Sequence, residues 1–88
     1  MKISGAIIQN RNIKEHSKTT FHATYKGKNI WVSSNHGLGK PKEGWLTRYN
    51  IEVTDIELGM FDVNSYEDCH TMEDAIRYAL KGACLIPS

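Results

Sequence analysis

A twelve-residue stretch near the C-terminus, Thr71-Met72-Glu73-Asp74-Ala75-Ile76-Arg77-Tyr78-Ala79-Leu80-Lys81-Gly82, constrains the fold of this chain more than any other. At 100° per residue, Met72, Ala75, Ile76, Ala79 and Leu80 fall on one arc, and Glu73, Asp74, Arg77, Tyr78 and Lys81 fall opposite. Thr71 is placed to cap the first turn, and Glu73 and Asp74 sit where the helix dipole favours negative charge. Lys81 stands in the last turn, and Gly82 offers the positive φ that ends a helix. Glu73 and Arg77 form a favourable i,i+4 pair on the solvent side. A helix this sharply two-faced must cover an apolar surface, and that surface has to come from upstream.

The upstream sequence reads as strands. Ile3 to Ile8 is a short apolar run expected to be a buried strand, and residues 9–18 read as a basic loop with one turn after Asn12. Phe21, Ala23 and Tyr25 alternate with Thr20, His22 and Thr24, and Ile30-Trp31-Val32-Ser33-Ser34 follows a Gly27-Lys28 pair that suits a two-residue type II′ turn. That register opposes Tyr25 to Ile30 and Ala23 to Val32, and it turns Trp31 outward beside His22, Thr24 and Ser33. Residues 35–44 hold three glycines and a proline and read as a long loop.

Trp45, Thr47, Tyr49, Ile51 and Val53 form the clearest alternation, continued by Ile56, Leu58 and Met60. A hairpin turning at Thr54-Asp55 would put both sets under the helix, at the expense of opposing Glu52 to Glu57. Asp62–His70 reads as a polar connection with a single helical turn capped by Ser65 and Asp68. Ala83–Ile86 reads as a short edge strand stopped by Pro87. The expected fold is a single α+β domain over residues 1–88, an antiparallel-rich sheet of four to five strands with one C-terminal amphipathic helix on one face.

Composition limits function more than it selects one. The chain is 88 residues long with a net charge of +1 and two cysteines, Cys69 and Cys84. No apolar run reaches the roughly 20 residues that span a bilayer. Met1 to Ile8 lacks the apolar stretch and cleavage site of a secretory signal, and two cysteines are too few for a disulfide scaffold. A reducing cytoplasm is the expected compartment. The small net charge hides a division: residues 1–50 hold nine Lys and Arg against two acids, and residues 51–88 hold eight acids against Arg77 and Lys81. Such asymmetry marks interaction surfaces unless the two halves interleave in the fold.

The motifs that resemble chemistry fail on spacing. Gly37-Leu38-Gly39-Lys40 lacks the spacing and the following hydroxyl of a phosphate loop. Asp62, Asn64 and Asp68 with Glu73 imitate a calcium loop, but Tyr66 and Glu67 stand where an oxygen ligand and a glycine belong. Cys69, His70 and Cys84 lack zinc spacing, and Glu67 and Asp68 disfavour a Cys69 thiolate. No cofactor or metal is expected, and no catalytic constellation emerges from the four histidines.

The best cluster is a basic, aromatic-bearing hairpin and loop: His22, Lys26, Lys28, Trp31, His36, Lys40, Lys42 and Arg48. Cations beside an outward aromatic suit an acidic protein surface, and they equally suit phosphates and unstacked bases. Trp45, Leu58-Gly59-Met60-Phe61-Asp62 and Ala75-Ile76-Arg77-Tyr78-Ala79 together resemble the end of the three-strand-plus-helix DNA-binding domains of ethylene-response factors and phage-integrase arm domains. There a strand ending Leu-Gly-x-Phe leads to an Ala-rich helix. The resemblance spans about 35 residues and implies DNA contact from the sheet. Two departures go with it: about eight additional residues before the helix, and Glu52, Asp55 and Glu57 where such domains present cations to phosphate. The reading with most support is a small, stand-alone, non-enzymatic protein-binding modulator or inhibitor of the phage or mobile-element anti-defence kind, with nucleic-acid binding by the same hairpin as the alternative.

Overall fold

The C-terminal helix is where periodicity puts it. In the computed structural model, which describes residues 1–34 and 46–87, α1 runs Met72–Gly82. The Asp74 N–H donates to Thr71 Oγ1 at 3.1 Å, so the cap forms, and Arg77 closes on Asp74 at 2.8 Å and on Glu73 at 3.5 Å. Ala75, Ile76, Ala79 and Leu80 are buried, and Met72 is half-buried at the edge of the core. Complete burial of Ile76 and Leu80 stabilises by about 1.5–3 kcal/mol for each side chain.

The helix does not stop at Gly82 by way of a glycine cap. Cys84 takes the left-handed conformation at φ 58°. The Leu85 N–H donates to the Leu80 carbonyl at 2.8 Å and the Cys84 N–H to the Lys81 carbonyl at 3.1 Å. That is a Schellman ending with a cysteine at its left-handed position. Gly82 serves packing instead, since a Cβ there would lie 2.8 Å from Val63 Cγ2. Residues 83–86 consequently form this turn and not the expected edge strand; Ile86 folds back into the core.

Beneath the helix lies an antiparallel meander of five strands: β3 (Ile13–His16), β4 (Thr20–Tyr25), β5 (Lys28–Ser34), β6 (Thr47–Asp55) and β7 (Phe61–Cys69), side by side in chain order. Its inner face carries Phe21, Ala23, Ile30, Val32, Tyr49, Ile51 and Val53, all buried with the helix stripe in one cluster. The fold is the α+β arrangement expected, with a small addition. Ile3–Ile8 is not one strand but a hairpin, β1 (Lys2–Ile3) and β2 (Ala6–Ile7), turning at Ser4-Gly5. Ile3, Ala6 and Ile8 enter the core while Ile7 is exposed, and Arg77 Nε donates to Ser4 Oγ at 2.7 Å to tie this hairpin to the helix.

Three further expectations are corrected. Residues 9–18 contain a 3-10 turn, Asn10–Asn12, and the strand β3, whose mostly exposed side chains left no alternation to detect. The β4–β5 turn is Lys26-Gly27, not Gly27-Lys28; it opposes Tyr25 to Lys28 and Ala23 to Ile30. The shift is two residues, so each side chain stays on its expected face. The largest correction is after Asp55. Ile56–Met60 is a turn and not a strand, and Asp62–His70, read as a connection with a helical turn, is almost wholly the long strand β7. Glu52 accordingly lies opposite Asn64, and its expected clash with Glu57 does not arise.

Candidate functional site

Because the sheet is a meander, the division of charge along the sequence becomes a gradient across the sheet. The basic N-terminal half supplies β3, β4 and β5, and residues 49–76, which contain eight acids and no lysine or arginine, supply most of β6, all of β7 and the first turn of α1. Among the described strands the two halves meet at β5 and β6 without interleaving, and Lys28 of the basic half reaches Asp55 and Asp62 across that boundary.

On the outer face, away from the helix, the ladder sets Glu15, His22, Trp31, Glu52 and Asn64 in one cross-strand row. Trp31 does point outward, as its register requires, and is half-buried by neighbours on that face. The His22 ring lies 5.0 Å from the Trp31 ring at a tilt of 60°, and His22 Nε2 is 2.6 Å from Asn29 Oδ1. Glu15 and Glu52 flank this aromatic pair from the two neighbouring strands.

The cations expected to accompany Trp31 do not gather there. Lys28 shares the inner-face parity of Ile30 and Val32, and its Nζ is held 2.7 Å from Asp55 Oδ2 and 2.6 Å from Asp62 Oδ2. Hydrogen bonds that Lys28 donates to Asp55 and then to Asp62 raise the Lys28 pKa; the bond from Lys28 and then that from the Leu58 N–H lower the Asp55 pKa. Lys26 sits at the hairpin tip with Nζ 5.3 Å from the Tyr25 ring, and Arg48 is exposed with Nε 3.2 Å from Asp68. His36, Lys40 and Lys42, the 35–44 loop that carries them, and Trp45 lie outside the described residues. Of the eight candidate residues, the described structure therefore brings together His22 and Trp31, and it separates Lys26, Lys28 and Arg48 from them.

A surface missed in the sequence lies at the end of the β6–β7 hairpin. Ile56, Leu58, Met60 and Phe61 are 57%, 70%, 65% and 56% exposed. Their backbone is nonetheless fixed. The Leu58 N–H donates to Asp55 Oδ1 at 2.7 Å, the Gly59 N–H to the Asp55 carbonyl at 2.8 Å, and the Asp55 N–H to the Met60 carbonyl at 2.8 Å. The Ile56 N–H donates to the Gly27 carbonyl at 3.0 Å, which fastens this tip to the neighbouring hairpin. Lys28, clamped between Asp55 and Asp62, spans the base of the same turn. The product is an apolar knob on a rigid base. Leu58-Gly59-Met60-Phe61 is thus the turn that opens β7, not the end of a strand leading into a helix, which corrects the expected likeness to hairpin-and-helix DNA-binding domains.

Other chemistry is sparse. A cleft of ≈ 310 Å³ between β1, β3 and the start of α1 is lined by Met1, Ile3, Met72 and Ile76 together with the ionisable Lys2, His16 and Glu73. Among the described residues no hydrogen bond joins those three ionisable groups to one another, and no group of three His, Cys, Asp or Glu side chains is arranged to hold a metal ion. Burial, followed by Asp74, Glu67 and Asp68, raises the Cys69 pKa, which makes its thiol a poor nucleophile. Both cysteines are free. No described helix is long and apolar enough to cross a membrane. Comparisons with protein-family models, with curated proteins and with solved structures give no match to this chain.

Proposed function

We propose that this chain is a small, non-enzymatic protein-binding module, a modulator or inhibitor that engages a partner protein through the β6–β7 knob. The observation that carries the reading is the display of Ile56, Leu58, Met60 and Phe61 on a turn braced by Asp55, Lys28 and Asp62. Four large apolar side chains in six residues are costly to present to water, and contiguous apolar patches on small proteins mark docking surfaces. A fixed backbone lowers the ordering cost of binding, so the apolar area converts more efficiently into affinity.

The electrostatics favour a protein over a nucleic acid. Phosphate needs unpaired cations, whereas the knob lies within a 28-residue stretch that has no lysine or arginine, and Trp31 shares its cross-strand row with Glu15 and Glu52. An acidic, apolar surface of this kind suits an inhibitor that occupies a basic site on its target; the phage or mobile-element anti-defence setting accords with that but rests on analogy.

The test is site-specific photo-crosslinking in the native host from position 58, compared with position 18 on the opposite side of the sheet. Position 58 should trap one protein species, and Leu58→Asp with Met60→Asp should abolish capture from a neighbouring position while the unfolding midpoint is unchanged. Equal trapping from positions 58 and 18 overturns the reading. So does salt-sensitive binding of an oligonucleotide with no dependence on the knob.

A further inference from the structure

We infer that the free edge of β7 is a strand-addition site, which takes an extended, basic segment of the partner as a sixth strand beside the knob. This rests on the protein-binding reading and names the partner's chemistry. β7 is nine residues long, Phe61–Cys69, and among the described residues it is the last strand of the sheet, paired on one side only, with β6. Among the described residues, no backbone hydrogen bond outside the sheet ladder involves any residue from Phe61 to Cys69. Half of the peptide groups of such a strand face outward, which offers a row of donors and acceptors to another chain.

The strongest protections of a sheet edge, lysine, proline, shortness and a bulge along the strand, are absent from it. A protected edge is short, is bulged along its length, or carries proline or charged side chains, lysine above all. The charges on β7 are all acidic, Asp62, Glu67 and Asp68, so they repel an acidic strand and not a basic one. Its register shift lies at the start, between the Val53–Val63 and Thr54–Phe61 pairs, and the ladder then runs unbroken from Val63 to Cys69. At the other edge of the sheet, β3 is four residues long, contains Lys14 and is bulged between Ile13 and Glu15. One edge is blunted and the other is left open.

Charge selects the occupant. Glu57, Asp62, Glu67 and Asp68 lie along the knob and β7. Lys28 already pairs with Asp62 and the exposed Arg48 with Asp68, and among the described residues Glu57 and Glu67 have no ion-pair partner. A second copy of β7 would bring acids against acids, which disfavours a symmetric pair of edges. A segment with lysine or arginine at alternate positions would place its cations along this edge. An apolar residue at the end of that segment would meet Leu58 and Met60, so backbone pairing supplies affinity and the knob fixes register.

The test uses the full chain and three synthetic ten-residue peptides: alternating Lys and Val with a terminal Leu, its twin with Glu for Lys, and a basic twin with two central Val→Pro changes. Amide exchange of the protein is followed residue by residue by NMR. The first peptide should slow exchange at β7 amides at least tenfold and leave β3 unchanged, and the other two should not protect β7. Asn64→Lys with Asp68→Lys, shown by circular dichroism to be folded, should weaken the first peptide at least tenfold. Equal β7 protection by the proline-containing peptide, or protection that maps to β3 or to none of the strands, overturns the inference. Its failure is separable from that of the knob reading. If position 58 still traps a partner whose binding leaves β7 amides unprotected, the partner docks on the knob without adding a strand, and only the strand-addition claim falls.

Discussion

The two hairpin tips at one end of the sheet are joined by a hydrogen bond yet built on opposite plans. The β4–β5 tip is two residues, Lys26 and Gly27, both at positive φ (49° and 75°), the geometry of a type I′ turn whose twist matches the strands it joins. It spends nothing on display: one exposed cation leans on Tyr25 and the chain returns at once. The β6–β7 tip uses five residues, 56–60, stabilised by the Asp55 side chain and by Lys28 reaching across from β5, and it presents apolar side chains to solvent. A tight turn closes a sheet with little else to do. A longer turn with an ion pair at its base and hydrophobic groups held outward is the arrangement that the proposed docking role calls for.

The strongest way to break this contrast is to ask whether the knob residues support the fold after all. Ile51, wholly buried on β6, and Leu58, three residues beyond that strand, are both large aliphatic residues in the same hairpin. Ile51→Ala should destabilise by about 2–5 kcal/mol through lost burial and the cavity left behind. Leu58→Ala should stay within about 0.5 kcal/mol, as an exposed substitution does. Urea unfolding of both variants measures the difference, and similar losses would place Leu58 in the core and dissolve the knob.

That contrast also shows where sequence and structure part. Alternation from Thr47 to Val53 is the signature of a strand with one buried face, and the structure follows it residue by residue. Ile56, Leu58 and Met60 keep the same period of two, so they read as the return strand, although their periodicity comes from a surface turn. Nothing in the pattern distinguishes apolar residues that alternate over a core from those that alternate on an exposed turn. β7 was missed for the converse reason: Asp62, Asn64, Ser65 and Glu67 look like a connection, since an edge strand over the margin of the core needs little apolar content. The helix, by contrast, was legible because its stripe, its Thr71 cap and its dipole-matched charges agree with one another. The outward turn of Trp31 was also legible, because a two-residue error in register leaves every face unchanged. The dispersal of its expected cations was not, since a lysine's partners come from strands distant in sequence, as Asp55 and Asp62 do for Lys28.

Each tip depends on a glycine with no neighbour to crowd it. Gly27 and Gly59 have φ of 75° and 69°, and added Cβ atoms would meet nothing within 4 Å. The cost of Gly→Ala at either is then backbone strain alone, about 1–2 kcal/mol. Comparable losses in thermal unfolding would sharpen the contrast, because the two turns would differ in display and not in conformational demand. A negligible loss at Gly59 alone would indicate that the longer turn relaxes around the substitution.

The ion-pair base of the knob adds a pH dependence that the shorter tip lacks. The Asp55 pKa is lowered from 3.8, so its contribution is present above that value and is lost as pH falls through the lower folded-state pKa. The Lys28 pKa is raised from 10.5, so its contribution is present below that value and is lost as pH rises beyond it. Between these limits the brace is intact. Amide shifts at Leu58 and Gly59 should therefore hold steady through neutral pH and move together below about pH 4, while those at Lys26 and Gly27 move less. Lys28→Met should bring the movement to higher pH, and an unchanged profile would remove Lys28 from the brace.

The smallest effect expected is a gain at the tighter tip. Lys26 occupies the first central position of a type I′ turn, where a side chain with a Cβ is strained and asparagine is the best tolerated residue after glycine. Lys26→Asn creates Asn-Gly, the dipeptide most favoured there. It removes the contact of Nζ with the Tyr25 ring at 5.3 Å, which at an exposed site contributes at most about 0.5–1 kcal/mol. Relief of strain of about 1–2 kcal/mol outweighs that loss, so the net change should be a stabilisation of about 0.5–1 kcal/mol, read as a rise in the unfolding midpoint. Partner capture through position 58 should be unaffected, because Lys26 belongs to the tip that only closes the sheet. If capture fell instead with stability raised, the cation at the first tip and the apolar groups at the second would form one surface, and the division drawn between the two hairpins would have to be withdrawn.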